Sequence, residues 1–225
     1  MTVDFSLARS NLEKLIHEYS PLGELSNEAQ TRFSFIDKFL EDCLEWPRSE
    51  IKVELYEDGG RTDYECGTPR MLIVEAKTSK SALKLPPKRS RSRVALASLI
   101  AFDETTAAAI RQVQSYGQSR GVQITAVSNG SQLIAFLASR VDGISPLDGD
   151  AIVFDGYEDL LKNFSLVYES LGKAGVEEKR LIQTLSKDAP ASLPSKLSAY
   201  CLNYFDHKYS TQQPPAKAGG LSFTD

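Results

Sequence analysis

Asp63, Glu75 and Lys77 set two carboxylates and an amine close together in a pattern suited to catalysis. The stretch GGRTDYECGTPRMLIVEAKTS, residues 59 to 79, carries Asp63 just after a glycine turn. It then drives an apolar run into Glu75, Ala76 and Lys77. Residues two apart on a strand share a face, so Glu75 and Lys77 point the same way. A connection through GTPR lets the strand bearing Asp63 lie beside the strand bearing Glu75, with the two carboxylates a few ångströms apart. Two carboxylates about 4 Å apart repel by roughly 4 kcal/mol at an effective dielectric of about 20, unless a proton or cation lies between them. A divalent cation resolves the conflict. Oxygen ligands favour Mg2+ or Mn2+, which suits hydrolysis of a phosphodiester. In that chemistry Lys77 orients the attacking water or stabilises developing negative charge.

The Glu-x-Lys spacing alone is weakly specific, since EIK at 50 to 52 and EEK at 177 to 179 also fit it. Glu50, however, opens an alternating, half-exposed strand, and Glu177 lies in a solvated charged helix. The competing reading of 75 to 77 is a strand-end ion pair in solvent.

The elements that must position these groups follow from periodicity. Helices are predicted over about 6 to 19 and 27 to 45, the second capped by Ser26 and burying Phe33, Ile36, Phe39, Leu40 and Leu44. IKVELYE and RTDYEC form a hairpin around EDGG, and MLIVEAK is apolar on both faces, as in a central strand covered by helices. Residues 78 to 93 read as a mobile loop, followed by a helix at about 104 to 119. The strands VQITAVS and QLIAFLA are joined by a type I′ turn at Asn129-Gly130. Strands separated by helices imply an α/β sandwich around a mixed sheet. After PLDGDAIVFDGYEDLL the pattern turns helical to about residue 206, and STQQPPAKAGGLSFTD looks like a linker. The expected organisation is therefore a core over 1–150, a helical C-terminal extension over 151–208 packing on it, and a linker-like tail over 209–225 leading to a further domain of a longer protein.

Composition narrows the partners. The 225 residues are 41% apolar and 25% charged, ordinary for a globular domain. No run approaches the roughly 20 apolar residues of a membrane span, and the amphipathic N-terminus is no export signal, so a cytoplasmic location is expected. Cys43, Cys66 and Cys201 are odd in number and far apart, and His17 and His207 are the only histidines, which argues against a disulfide framework or a Cys/His metal site. The net charge of −4 supplies no global basic field. One local patch stands out: Lys77, Lys80, Lys84, Lys88, Arg89, Arg91 and Arg93, with no acid among them. It reads either as a solvated loop or as a surface that contacts DNA phosphates without reading bases. Trp46, beside Pro47, reads as core or cap packing.

Two more pairs have helical spacing: Gln112 with Tyr116, and Glu28 with Arg32. The order Glu28, Asp63, Glu75-Ala76-Lys77, Gln112-x-x-x-Tyr116 and then ITAVSNGSQLIAF resembles the PD-(D/E)xK nuclease superfamily. The likeness is to the N-terminal nuclease domain of type I restriction enzyme R subunits, with their RecB-like motifs, and covers residues 24 to 140. The position before Asp63 is Thr62 rather than Pro, a departure at a variable position.

The resemblance implies a restriction-endonuclease-like three-layer sandwich, with a central mixed β-sheet flanked by helices. It further implies Asp63 and Glu75 as ligands of Mg2+ (or Mn2+), Lys77 as the catalytic lysine, Glu28 as a helical acid assisting the metal, and Gln112 and Tyr116 beside the substrate backbone. The expected activity is that of a Mg2+-dependent endodeoxyribonuclease, the effector of a restriction or anti-phage defence protein. Such a domain is expected to act with a motor or sensor NTPase domain, and a homo-oligomeric state stays open. The alternative is a catalytically silent nucleic-acid-binding or oligomerisation module of the same fold.

Overall fold

The computed structural model describes residues 5–20, 27–57, 60–78, 83–87 and 92–186. The expected linker-like tail, His207, Cys201, Lys80, Lys88, Arg89 and Arg91 lie outside the described residues. Those that are described all fall within one compact unit, Met1–Leu193.

Helix α1 (Phe5–Tyr19) buries Ala8, Leu12, Leu15 and Tyr19, the three-to-four spacing that gives a helix one apolar stripe. Helix α2 (Glu28–Thr31) starts at Asn27 rather than at the expected Ser26 cap. The Asn27 side chain accepts the Gln30 N–H at 2.8 Å. The chain continues through two π-helical segments, Arg32–Ile36 and Phe39–Cys43. A π turn takes in an extra residue and shifts the faces of everything after it. This is why Phe33, expected in the core from a regular period, is 72% exposed while Phe35 is buried.

Among the described residues seven strands form one mixed sheet: β1 (Ile51–Glu57), β2 (Gly60–Cys66), β3 (Leu72–Ala76), β4 (Arg93–Ala95), β5 (Ile124–Ser128), β6 (Gln132–Leu137) and β7 (Asp150–Asp155). Their spatial order is β1-β2-β3-β5-β6-β7-β4. Strands β3 and β5 pair in parallel, and the other paired neighbours among the described residues are antiparallel. All five β3 residues are buried because both faces are covered. On one face Leu72, Val74 and Ala126 join a cluster with α1 and the π-helical segments. Helices α5 (Tyr157–Lys162), α6 (Phe164–Leu171), α7 (Lys173–Glu177) and α8 (Arg180–Leu185) complete it. On the other face Ile73, Val127 and Phe136 pack against α3 (Leu96–Phe102) and α4 (Glu104–Arg120). The expected α/β architecture, a central mixed sheet flanked by helices, is present.

Three details differ from the periodicity reading. The sheet does not stop at residue 150, because AIVFD forms β7, which pairs with both β6 and β4. The turn after β5 is not type I′: Gly130 has φ +93° and Asn129 is not in the left-handed region, whereas type I′ needs both central residues there. Asn129 instead accepts the Gln132 N–H on its Oδ1 at 2.8 Å. The described stretch 83–87 within the 78–93 segment is fastened at Leu83, which is buried and whose N–H (2.8 Å) and C=O (3.0 Å) both bond the Gln132 side chain. Among the described residues no helix is long and apolar enough to cross a membrane. Trp46 is buried, its indole N–H donating to Leu171 O at 2.9 Å, so it serves packing.

Candidate active site

The β2–β3 register, Tyr64 opposite Val74 and Glu65 opposite Ile73, continues to set Asp63 across from Glu75. Asp63 Oδ2 accepts the Ala76 N–H at 2.8 Å, so its carboxylate faces the end of β3. Both acids are buried, Asp63 at 5% and Glu75 at 3% exposure. Lys77 follows the strand, its N–H donating to Ser128 O at 2.8 Å. Its ammonium donates to Glu75 Oε1 at 2.7 Å and to Gln112 Oε1 at 3.1 Å. Gln112 Nε2 in turn donates to the Tyr116 hydroxyl at 3.1 Å. The spacing of Gln112 and Tyr116 thus gives one chain of hydrogen bonds from helix α4 to the strand end.

That chain needs α4 close to the sheet. Gly117 allows the approach: a Cβ there would lie 2.8 Å from Thr125 Cγ2 and closer still to Ala138 Cβ. At the helix C-terminus, Arg120 is almost wholly buried. It bonds Glu57 at 2.8 Å and Gly60 O at 2.7 Å, and lies 3.3 Å from Glu65. Arg70 grips both oxygens of Glu57, at 3.0 and 2.9 Å, and stands 3.4 Å from Glu65. This cluster joins α4 to the β1–β2 hairpin, so the strand bearing Asp63 and the helix bearing Gln112 and Tyr116 are held as a unit.

Glu75 is electrostatically uncomfortable. Burial first, then the charge of Asp63, push its carboxyl from an ordinary 4.5 up to about 7; Lys77 opposes the rise and Glu28 adds to it. Its Oε2 is buried with no hydrogen-bond partner. A buried carboxylate oxygen without a donor costs free energy that a cation would recover.

Glu28 stands half-buried at the first position of α2, near enough for its charge to reach Glu75. Among the described residues no three Asp, Glu, His or Cys side chains are gathered as a metal cluster. The expected nucleic-acid set is only partly in view. Lys84 is exposed, with its ammonium 3.4 Å from Asp103. Arg93 is not a loop cation: it belongs to β4, bonds Asp150 at 2.6 Å and donates to Thr184 O at 3.0 Å. The three-residue strand around it was too short to stand out from its basic, Ser-rich surroundings.

No protein-family model, curated protein or solved structure matches the chain. The site must therefore be judged on its own chemistry. Two buried carboxylates on neighbouring strands, one with an orphaned oxygen, offer oxygen ligands that fit a small hard divalent cation such as Mg2+ or Mn2+. One contributor went unassigned on sequence grounds. Arg32 was visible only as the residue four after Glu28, yet its guanidinium reaches Glu54 at 2.9 Å and Asp63 at 3.4 Å.

Proposed function

We propose that this chain is a metal-dependent nuclease domain of the PD-(D/E)xK superfamily, with a restriction-endonuclease-like three-layer sandwich, hydrolysing phosphodiester bonds in DNA. The observation that carries the reading is Glu75 Oε2, buried and unpartnered beside Asp63, with Lys77 on the other oxygen of the same carboxylate. An ordinary strand-end ion pair has no need of a second buried acid facing it.

On this reading Asp63 and Glu75 hold Mg2+ or Mn2+. When bound, the cation supplies Lewis-acid polarisation of the phosphodiester and eases deprotonation of water. The chain's own groups do the rest. Lys77, fixed by Glu75 and Gln112, presents a positive ammonium to the attacking water and to charge developing on the phosphate. Because Tyr116 oxygen accepts from Gln112, its hydroxyl proton stays free to be donated to a phosphate oxygen of the strand. Lys84 is a phosphate contact within reach of solvent. On the same reading the chain is the effector of a restriction or anti-phage defence protein and acts alongside a motor or sensor NTPase domain.

The test is incubation of supercoiled plasmid with the purified chain and Mg2+, beside Asp63→Ala and Lys77→Ala. Nicking by the wild type and its loss in both variants is expected. Equal nicking by all three removes the enzymatic reading and leaves the silent module of the same fold, which calorimetric titration with Mn2+ then tests.

A further inference from the structure

We propose that Arg32 is a resident counter-ion of the acid pair, a positioning residue whose guanidinium competes with a divalent cation for Asp63 and so sets how tightly the site takes one. The inference rests on the metal reading above.

Arg32 opens the first π-helical segment, and its side chain is 11% exposed. It lies over the Tyr64 ring with its guanidinium carbon 5.5 Å from the centroid, and Tyr64 is itself anchored by donating its hydroxyl to Asp37 at 2.7 Å. The guanidinium is shared unequally: Nη1 is 2.9 Å from Glu54 Oε1 and 3.4 Å from Asp63 Oδ1, while Nε is buried with no partner. A fully built structural ion pair would use the planar fork with both carboxylate oxygens. Here one nitrogen of the cation bonds Glu54 firmly and reaches Asp63 only at the longer distance, so its hold on Asp63 is the weaker of the two. Glu54 supports that division. Its backbone is in the left-handed region at φ +55°, rare for Glu within a strand, and its carboxylate also has Arg61 at 3.7 Å.

Asp63 therefore has each oxygen engaged, Oδ2 by the Ala76 N–H and Oδ1 by Arg32 at the longer distance. A cation claiming Asp63 must share Oδ1 with the guanidinium or send it towards Glu54. Without a cation, Arg32 is the positive charge that makes Asp63 tolerable beside Glu75. With one, it is like charge close by.

Titration of the full 225-residue chain with Mn2+ by calorimetry, on the wild type, Arg32→Gln and Glu54→Gln, tests this. Arg32→Gln removes the competing charge and is expected to bind Mn2+ about tenfold more tightly. Glu54→Gln, at a half-exposed position, removes the alternative partner and is expected to weaken Mn2+ binding by about threefold or more. Mere structural damage does not produce a gain of affinity. Should Arg32→Gln fail to fold, the Glu54→Gln result decides. Wild-type binding with unchanged or weaker affinity in Arg32→Gln, or unchanged affinity in Glu54→Gln, overturns the inference and leaves the metal reading standing. No Mn2+ binding by the wild type removes both.

Discussion

Replacing Glu75 by Gln in the metal-free protein is expected to stabilise it at alkaline pH, although it takes away the partner of Lys77. The carboxyl has a folded-state value of about 7 against an ordinary 4.5, raised by burial and by Asp63. A raised acid contributes stability that is fully present below pH 4.5 and lost as pH climbs through about 7. The gap corresponds to about 3 kcal/mol between protonated and ionised site. Gln keeps the shape and the acceptor and cannot ionise, so Glu75→Gln lacks this loss. Lys77, with a quarter of its side chain exposed, recovers hydration. For a domain of this size about 3 kcal/mol corresponds to about 6–12 °C in Tm. The assay is thermal unfolding in chelator at pH 5 and pH 8. The two proteins should melt within a few degrees of each other at pH 5, and Glu75→Gln should melt higher at pH 8. Mn2+ should then raise the wild-type Tm at pH 8 and leave that of the variant unchanged. If Glu75→Gln melts no higher than wild type at pH 8, the Lys77 ion pair outweighs burial, and the frustrated-acid argument fails.

Gly117→Val drives a branched side chain into Thr125 and Ala138, and is expected to cost about 3 kcal/mol or more and to lower Mg2+-dependent cleavage, read by denaturant melts and nicking assays. Gln132→Ala removes an amide that bonds Leu83 twice and Asp155 once; loss of hydrogen-exchange protection at the Leu83 amide should follow, with β3 still protected. Asn27→Ala deletes the cap of α2 and should cost about 1 kcal/mol in chemical denaturation.

The pairing of Asp63 with Glu75 was legible in the sequence for a physical reason: a short connection between two adjacent strands leaves few registers, and the apolar run of β3 demanded cover on both faces. The hydrogen bonds from Lys77 through Gln112 to Tyr116 were legible as helical spacing, though only the depth allowed by Gly117 makes them meet. What stayed hidden depends on partners distant in the chain. Strand β7 is a brief apolar run that gains its identity from β6 and β4, and Arg93 gains its own from Asp150. Phe33 and Phe35 exchanged places because a π turn is dictated by packing and leaves little trace in residue propensity. Arg32 could be seen four residues after Glu28, but its reach to Asp63 across the sheet edge could not.

The Arg120 cluster carries a practical consequence for measurements in electrolyte. Its innermost charges, Arg120 and Glu65, are shielded from solvent, and mobile ions screen such pairs far less than they screen surface groups. Raising ionic strength therefore discharges contacts at the periphery first, while the junction of helix and hairpin keeps its geometry. On the proposed nuclease reading, a plot of DNA affinity against salt concentration then counts phosphates neutralised, uncontaminated by a loosening scaffold.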